Sequence, residues 1–293
     1  MSATDGAPAP FGRRLAEAMA AAGPLCLGVD PHPGLLADWG LEDTPAGLEE
    51  FSVRALAAAA GEGTPRVAAL KLQVALYERH GSAGVAALER LLARARDAGV
   101  LTIADAKRGD IGSTMDGYAA AWLDPASPLA ADAVTLSPYL GYGTLSATVE
   151  RARAAGRGVF VLALTSNPEG ASVQHAGAAE PEGAVAARIV AAAAADNARL
   201  ADAGDWGPVG LVVGATVADR AAALGVDLAG LRGPLLAPGY GAQGATAAGM
   251  RDGFGRAWPQ VLATSSRDIL RQGPEVGALT RAIEAARAEL TAA

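Results

Sequence analysis

The chain has 293 residues, of which 51% are hydrophobic and only 4% aromatic, and its formal net charge is −7. That charge argues against non-specific nucleic-acid binding and against attachment to an anionic membrane surface. The single cysteine, Cys26, excludes a disulfide framework and a multi-cysteine metal site. No apolar run approaches the ~18 residues of a membrane span, and the N-terminus lacks a signal-peptide pattern. We therefore expect a cytoplasmic protein with a disordered leader over 1–10 and one domain over 11–293.

Eight short apolar runs, each ending at polar or turn-forming residues, are spaced along the chain. They cover 25–30, 67–74, 101–107, 133–138, 158–166, 209–216, 234–240 and 260–267. Nearly continuous Val and Leu runs of this kind are typical of parallel strands that are covered on both faces. The segments between them show helical periodicity, as in 84–98, where Leu88, Leu91 and Ala95 recur on one face. Eight such alternations predict an α/β protein with a single-domain (β/α)8 TIM barrel, and a doubly wound open sheet is the alternative.

Polar residues lie on, or directly after, five of the eight predicted strands. They are Asp30, Lys71, Asp105, Lys107, Thr165, Ser166 and 265–267. In a barrel the C-terminal ends of the strands carry the chemistry, so these side chains are expected to converge on one site. The segment 167–185, which is rich in Gly, Ala and Glu, is predicted to be a mobile loop over that site.

Lysine is rare in this chain, because only Lys71 and Lys107 among the 24 lysine and arginine residues are lysines. A position that keeps lysine in such a chain is expected to need what arginine cannot provide, which is a proton given up near neutral pH. Lys107 lies in "ADAKRGD", two residues after Asp105 and three before Asp110. On a regular strand Asp105 and Lys107 share one face, and Arg108 points to the other.

Lys107 could act as a Schiff-base nucleophile or as a general acid. A Schiff-base lysine must be neutral, whereas the neighbouring carboxylates of Asp105 and Asp110 favour the ammonium form. At ~4 Å and an effective dielectric constant near 20, one such contact is worth about 4 kcal/mol. The pattern therefore predicts a cationic lysine that stabilises developing negative charge and then donates a proton. Lys71, with Asp30 on the adjacent strand, is expected to extend this charged network.

The stretch "PGYGAQGA" at 238–245 contains the pattern G-x-G-x-x-G. It follows the seventh strand and has no acidic residue about 20 positions downstream, which argues against a dinucleotide-binding fold. Loops after strands seven and eight of barrels commonly bind phosphate. The following "SSRDIL" supplies Arg267 as a cation for that phosphate.

Taken together, these motifs resemble those of the orotidine 5′-phosphate decarboxylase family, in the form found in its longer-chain bacterial subgroup. "DAKRGDIGST" is similar to the D-x-K-x-x-D signature of that family. "LGVDPHP", "LKLQVALYE", "TSNPEGA", "PGYGAQGA" and "SSRDI" lie in the family's order at predicted strand ends. Two positions depart from the commoner family pattern, since many members have Gly where this chain has Ser266 and His where it has Asn167.

The resemblance implies conversion of orotidine 5′-monophosphate to uridine 5′-monophosphate and CO2 in pyrimidine biosynthesis, with no cofactor and no metal. Lys107 would protonate C6 of the pyrimidine, and Asp105, Lys71 and Asp110 would complete an array of alternating charges. The resemblance also implies a homodimer with shared active sites, in which Asp110 and Thr114 come from the partner subunit.

For the substrate, the resemblance implies that Asp30 contacts the ribose and Ser166 the pyrimidine edge. Gln243 and Arg267 would bind the phosphate. Two other functions stay open at this point. One is a related barrel enzyme that acts on sugar phosphates through a metal-bound enediolate, and the other is a phosphate- or nucleotide-binding barrel without catalysis. The intact set of Lys107, Asp105 and Asp110 argues against the latter, because a pure binder needs no proton donor.

Overall fold

A computed structural model describes residues 9–181, 183–202 and 204–292 of the chain. Its strands are β1 (Leu25–Val29), β2 (Ala69–Gln73), β3 (Thr102–Arg108), β4 (Ala133–Leu136), β5 (Gly158–Leu164), β6 (Val209–Val213), β7 (Leu235–Pro238) and β8 (Val261–Ser265). Each strand pairs in parallel with its neighbour along the chain, and β1 pairs with β8 through Leu25↔Ala263 and Cys26↔Thr264. The described residues therefore form a closed eight-stranded barrel.

The predicted strands are confirmed, and each observed strand lies within two residues of the predicted start and within three of the predicted end. Pairing of β1 with β8 leaves the sheet without an edge, so the alternative of a doubly wound open sheet is wrong. Of the predicted leader, residues 1–8 lie outside the described residues, and the first helix begins at Phe11.

Helices surround the barrel in chain order. They are α1 (Phe11–Ala22), α2 (Pro33–Asp38), α3 (Pro45–Ala60), α4 (Val74–Glu78), α5 (Gly81–Asp97), α6 (Gly112–Leu123), α7 (Ser146–Ala154), α8 (Ala171–Gln174), α9 (Val185–Leu200), α10 (Ala247–Phe254), α11 (Arg267–Leu270) and α12 (Val276–Ala292). The predicted face of α5 is buried at Leu88, Leu91 and Ala95. α12 packs against α3, which closes the outer layer around the sheet. None of the helices in the described ranges is long and apolar enough to cross a membrane.

The connection between β6 and β7 departs from the regular alternation. Three short 3-10 helices, Ala218–Arg220, Ala222–Leu224 and Ala229–Leu231, occupy the place where an α-helix was expected. Gly225 adopts a positive φ of 71° between the second and third of these helices. A left-handed glycine ends a helical turn, so this segment cannot continue as one α-helix.

The N-terminal end of the barrel is closed by α1. Phe11 and Leu15 are buried against an interior layer that includes Cys26, Phe160 and Leu262. The rings of Phe11 and Phe160 meet edge to face, with centroids 6.0 Å apart and an interplanar angle of 89°. This apolar plug fills one end of the barrel and leaves the C-terminal ends of the strands as the open end.

The segment 167–185, predicted as one long loop, contains a 3-10 helix at Pro168–Gly170 and α8. Gln174 holds it to the end of β5, since its Oε1 accepts from the Thr165 N–H at 3.0 Å and its Nε2 donates to Thr165 Oγ1 at 2.7 Å. The predicted loop therefore contains two short helical segments over 168–174. Its motion stays a prediction.

Candidate active site

A cavity of about 320 Å³ opens at the C-terminal ends of the strands. The predicted residues that line it are Asp30, Lys71, Asp105, Lys107, Thr165, Ser166, Gln243, Ser266 and Arg267. Apolar side chains of Leu162, Val212 and Leu236 also line it. The closed barrel therefore brings polar residues from six of its eight strand ends into one cavity with an apolar part, as expected for a small-molecule site.

Lys71 lies on β2 with its side chain only 7% exposed. Its Nζ donates to Asp105 Oδ2 at 3.0 Å, to Gln73 Oε1 at 3.2 Å and to Asp30 Oδ1 at 3.5 Å. Burial alone would lower the pKa of Lys71, but the carboxylates of Asp30 and Asp105 outweigh burial and raise it. Lys71 is therefore a buried ammonium whose three N–H donors all have acceptors.

Asp105 lies between the two lysines and is buried. Its Oδ2 accepts from Lys71, and its Oδ1 accepts from Lys107 Nζ at 2.6 Å and from Thr135 Oγ1 at 2.9 Å. Burial would raise the pKa of Asp105, but the two ammonium groups outweigh it and lower the pKa to about 2. Asp105 is therefore a carboxylate throughout the physiological pH range.

Lys107 reaches Asp105 by a route that differs from the sequence prediction. The predicted contact is present, but regular strand alternation is not its cause, because the β3–β4 ladder shifts register between Ala104 and Arg108. Lys107 lies in the left-handed region at φ 49°, which is uncommon for a residue with a Cβ. Its side chain is 46% exposed and lines the cavity. This bulge turns the Lys107 ammonium towards the open end of the barrel.

Arg108 does not line this cavity. Its guanidinium pairs with Glu78 and lies over the ring of Tyr118, 5.7 Å from the centroid. This agrees with the prediction that Arg108 points away from Lys107. Arg108 is therefore accounted for by surface packing and charge pairing.

Ser265, buried at the end of β8, is a predicted residue that does not line the cavity, and Asp110 and Thr114 are likewise not brought to it by one chain. Asp110 caps the following turn, where its Oδ1 accepts from the Ile111 N–H at 2.8 Å. Thr114 is exposed in the first turn of α6. Both residues therefore lie on the surface beside the site of their own chain.

The glycine loop after β7 and the turn after β8 form another side of the cavity. Gly239, Gly241 and Gly244 all have positive φ, between 78° and 121°. A Cβ at Gly241 would lie 2.0 Å from Asp268 Oδ2, so this close approach requires glycine. The glycine motif forms a tight turn that presents Gln243 to the cavity, and the turn after β8 presents Arg267.

Some polar residues of the site were not predicted from the sequence, and Gln73, Thr135 and Thr264 are examples. Gln73 completes the acceptors of Lys71, and Thr135 bonds Asp105. Thr264 lines the cavity, and its hydroxyl and that of Ser266 are buried without a partner among the described residues. Gln73 could have been found, because it lies two positions after Lys71 on the same strand face. Thr135 and Thr264 look like ordinary core positions in apolar strands.

No group of three or more His, Cys, Asp or Glu side chains within the described ranges is arranged to hold a metal ion. Cys26, at the base of the barrel interior, is fully buried, and burial raises the pKa of its thiol to about 12. A thiol in that state is a poor nucleophile, so Cys26 is a structural residue of the core.

A family model described as orotidine 5′-phosphate decarboxylase / HUMPS family matches residues 23–282. The chain belongs to this family. It is 52% identical over 285 residues to the orotidine 5′-phosphate decarboxylase of Salinispora arenicola. The aligned region covers 97% of this chain and 98% of that protein.

Two solved structures of the decarboxylase family extend the comparison. One, from Streptomyces avermitilis and provisionally named orotidine 5′-phosphate decarboxylase, has a TM-score of 0.90 and 50% identity over 100% of this chain and 98% of that one. The Leishmania donovani OMP decarboxylase has a TM-score of 0.71 and 29% identity over 97% of this chain and 100% of that one. The match at 23–282 includes all eight strands and every cavity residue from Asp30 to Arg267, while α1 precedes it.

Proposed function

We propose that this protein is an orotidine 5′-phosphate decarboxylase, which converts orotidine 5′-monophosphate to uridine 5′-monophosphate and CO2 without a cofactor. The observation that carries the proposal is the hydrogen-bonded series Lys71–Asp105–Lys107 at a cavity that also contains Arg267. The curated relative with this name, which is 52% identical over nearly the whole chain, supports the same activity.

The proposed reaction breaks the bond between C6 and the carboxylate carbon, and its electron pair stays on C6 while CO2 leaves. That pair lies in the plane of the pyrimidine ring and cannot delocalise, so fixed charge must stabilise it. The Lys107 ammonium, held by Asp105 at 2.6 Å, supplies such a charge without reorganisation during the reaction. Lys107 then gives one proton to C6, and solvent returns a proton to the amine.

The polar groups around the cavity match the rest of this substrate. Arg267 is a cation for the phosphate, and Gln243 offers an amide donor from the glycine loop. The buried Ser266 hydroxyl, which has no partner among the described residues, is available to the same anion. Asp30 is proposed to contact the ribose and Ser166 the pyrimidine edge, since both line the cavity. Binding energy gathered at the phosphate is proposed to close the segment 167–185 over the site.

A homodimer with shared active sites is part of the proposal. Asp110 and Thr114 lie on the surface outside the cavity of their own chain. The large apolar side chains of Ile111, Tyr139 and Leu140, the first of them adjacent to Asp110, are exposed by 60%, 79% and 52%. Contiguous exposed apolar surface is typical of a protein–protein interface, and these three side chains follow the ends of the paired strands β3 and β4. Their burial against a second copy would carry Asp110 and Thr114 towards the partner's cavity.

The test is to mix the purified protein with orotidine 5′-monophosphate and follow the loss of orotate absorbance with and without EDTA. We expect turnover that survives exhaustive chelation. Absence of turnover in both conditions would reject the decarboxylase. Turnover of a sugar phosphate that EDTA abolishes would instead support the metal-dependent alternative. Localisation in the cytoplasm stays a prediction, and cell fractionation would test it.

A further inference from the structure

The β3–β4 ladder contains a local irregularity at Asp105 and Lys107 of β3. Ala104 is paired with Val134, and the next pair is Arg108 with Leu136. Three residues of β3 are therefore opposite a single residue of β4, Thr135. Such a bulge leaves backbone groups of the longer strand without their ladder partners.

Thr135 is fully buried, and its hydroxyl bonds both ends of the bulge. Its Oγ1 accepts from the Lys107 backbone N–H at 2.9 Å and donates to Asp105 Oδ1 at 2.9 Å. A hydroxyl has one donor and can accept as well, so both contacts can form at once. The orientation is determined, because an amide can only donate and the Asp105 carboxylate can only accept.

These two hydrogen bonds stabilise the bulge at its two unfavourable features. Lys107 is in the left-handed region at φ 49°, where a Cβ is disfavoured, and it lies in the stretch of β3 that has no register partner on β4. The Thr135 hydroxyl satisfies that N–H and at the same time holds the carboxylate that binds Lys107 Nζ. The backbone and the ammonium of Lys107 are thus both tied, directly or through Asp105, to one oxygen atom.

We propose that Thr135 is a positioning residue for the reaction, which sets the place of the Lys107 ammonium without touching the substrate. This inference rests on the proposed decarboxylase function. The role requires the hydroxyl of Thr135 and not the volume of its side chain. Valine has nearly the same shape but no hydroxyl, so it should not substitute for threonine. Serine keeps the hydroxyl and should substitute for it.

The decisive comparison is between Thr135→Val and Thr135→Ser, with Thr148→Val as the matched control. Thr148 is also a buried threonine, but its hydroxyl has no partner among the described residues and it lies on α7, outside the cavity lining. We expect kcat to fall by about 10- to 100-fold in Thr135→Val, because small displacements of reacting groups have effects of this size. KM and affinity for uridine 5′-monophosphate should change by less than about 3-fold, and Thr135→Ser should recover most of kcat.

Hydrogen exchange gives a readout that does not depend on activity. The Lys107 amide should exchange faster in Thr135→Val than in the wild type, and Thr135→Ser and Thr148→Val should not show this change. If Thr135→Val does not fold, Thr135→Cys replaces it with the same expectations, since a thiol is a weak hydrogen-bond partner.

Two outcomes would overturn the inference while leaving the decarboxylase intact. One is a folded Thr135→Val enzyme with kcat within about 2-fold of the wild type. The other is an equal loss of kcat in Thr135→Val and Thr135→Ser, which would make the methyl packing and not the hydroxyl responsible. A wild-type protein with no turnover would reject the proposed function itself, and the exchange of the Lys107 amide would still test the role of Thr135 in holding the bulge.

Discussion

Replacing Asp105 by Asn removes one negative charge from between two lysines and keeps the size of the side chain. Burial would raise the pKa of Asp105, but Lys71 and Lys107 lower it from its ordinary 3.8 to about 2. At about 1.4 kcal/mol per pKa unit, this difference corresponds to about 2 kcal/mol of native-state stability near neutral pH. Leaving a buried charge entirely unpaired costs more, about 3–5 kcal/mol. Lys71 keeps Gln73 and Asp30 as acceptors, so we expect Asp105→Asn to lose about 2–3 kcal/mol.

The effect of Asp105→Asn has a specific pH dependence. Because the pKa of Asp105 is lower in the folded than in the unfolded protein, its contribution is present above the ordinary aspartate pKa and is lost as the pH falls through about 2. About half of the contribution should remain near pH 3. The difference in unfolding free energy between wild type and variant should therefore shrink between pH 5 and pH 3.

Urea denaturation followed by circular dichroism at several pH values measures this difference. The control is Asp97→Asn, since Asp97 is exposed at the end of α5 and has no ion pair among the described residues. The control should leave the unfolding free energy nearly unchanged. A difference between Asp105→Asn and wild type that stays constant from pH 7 to pH 3 would contradict the charge network as its source.

Other substitutions separate the proposed roles. Lys107→Arg keeps the charge but cannot donate a proton near neutral pH, so kcat should fall by at least about 100-fold with an unchanged circular dichroism spectrum. Near-normal turnover would mean that Lys107 is not the acid. Arg267→Ala should raise KM by about 10- to 100-fold, as loss of a charge-assisted hydrogen bond predicts, and a change in kcat alone would argue against phosphate binding there. Mixing the inactive variants Asp110→Ala and Lys107→Ala should restore part of the activity. No recovery after demonstrated subunit exchange would count against shared sites.

Much of the fold could be read from the sequence because parallel strands covered on both faces need long apolar runs. Counting eight such runs favoured a barrel, the β1–β8 pairing showed that it is closed, and the polar residues at the run ends marked its open end. The prediction failed where short-range pattern carries little information. The four residues of α8 are too few to show a helical period, and the three 3-10 helices after β6 have none.

The candidate site was likewise predictable only in part. Asp105 and Lys107 could be placed together from their spacing, but the bulge that brings them together could not be foreseen. Lysine has no local preference for a left-handed φ. That conformation depends on a hydroxyl from the next strand, and Thr135 in "AVTLSP" is indistinguishable from a residue that merely fills the core. Tertiary hydrogen bonds of this kind override local propensity.

The two lysines of the chain differ in a way that bears on which one donates the proton. Lys71 is 7% exposed, and its three N–H donors are matched by three acceptors, so donating to a substrate would break a complete set of bonds. Lys107 is 46% exposed and has one side-chain acceptor, Asp105, among the described residues. Two of its three N–H groups are therefore available at the cavity. This difference supports Lys107 as the proposed acid and gives Lys71 the task of holding Asp105 ionised beside it.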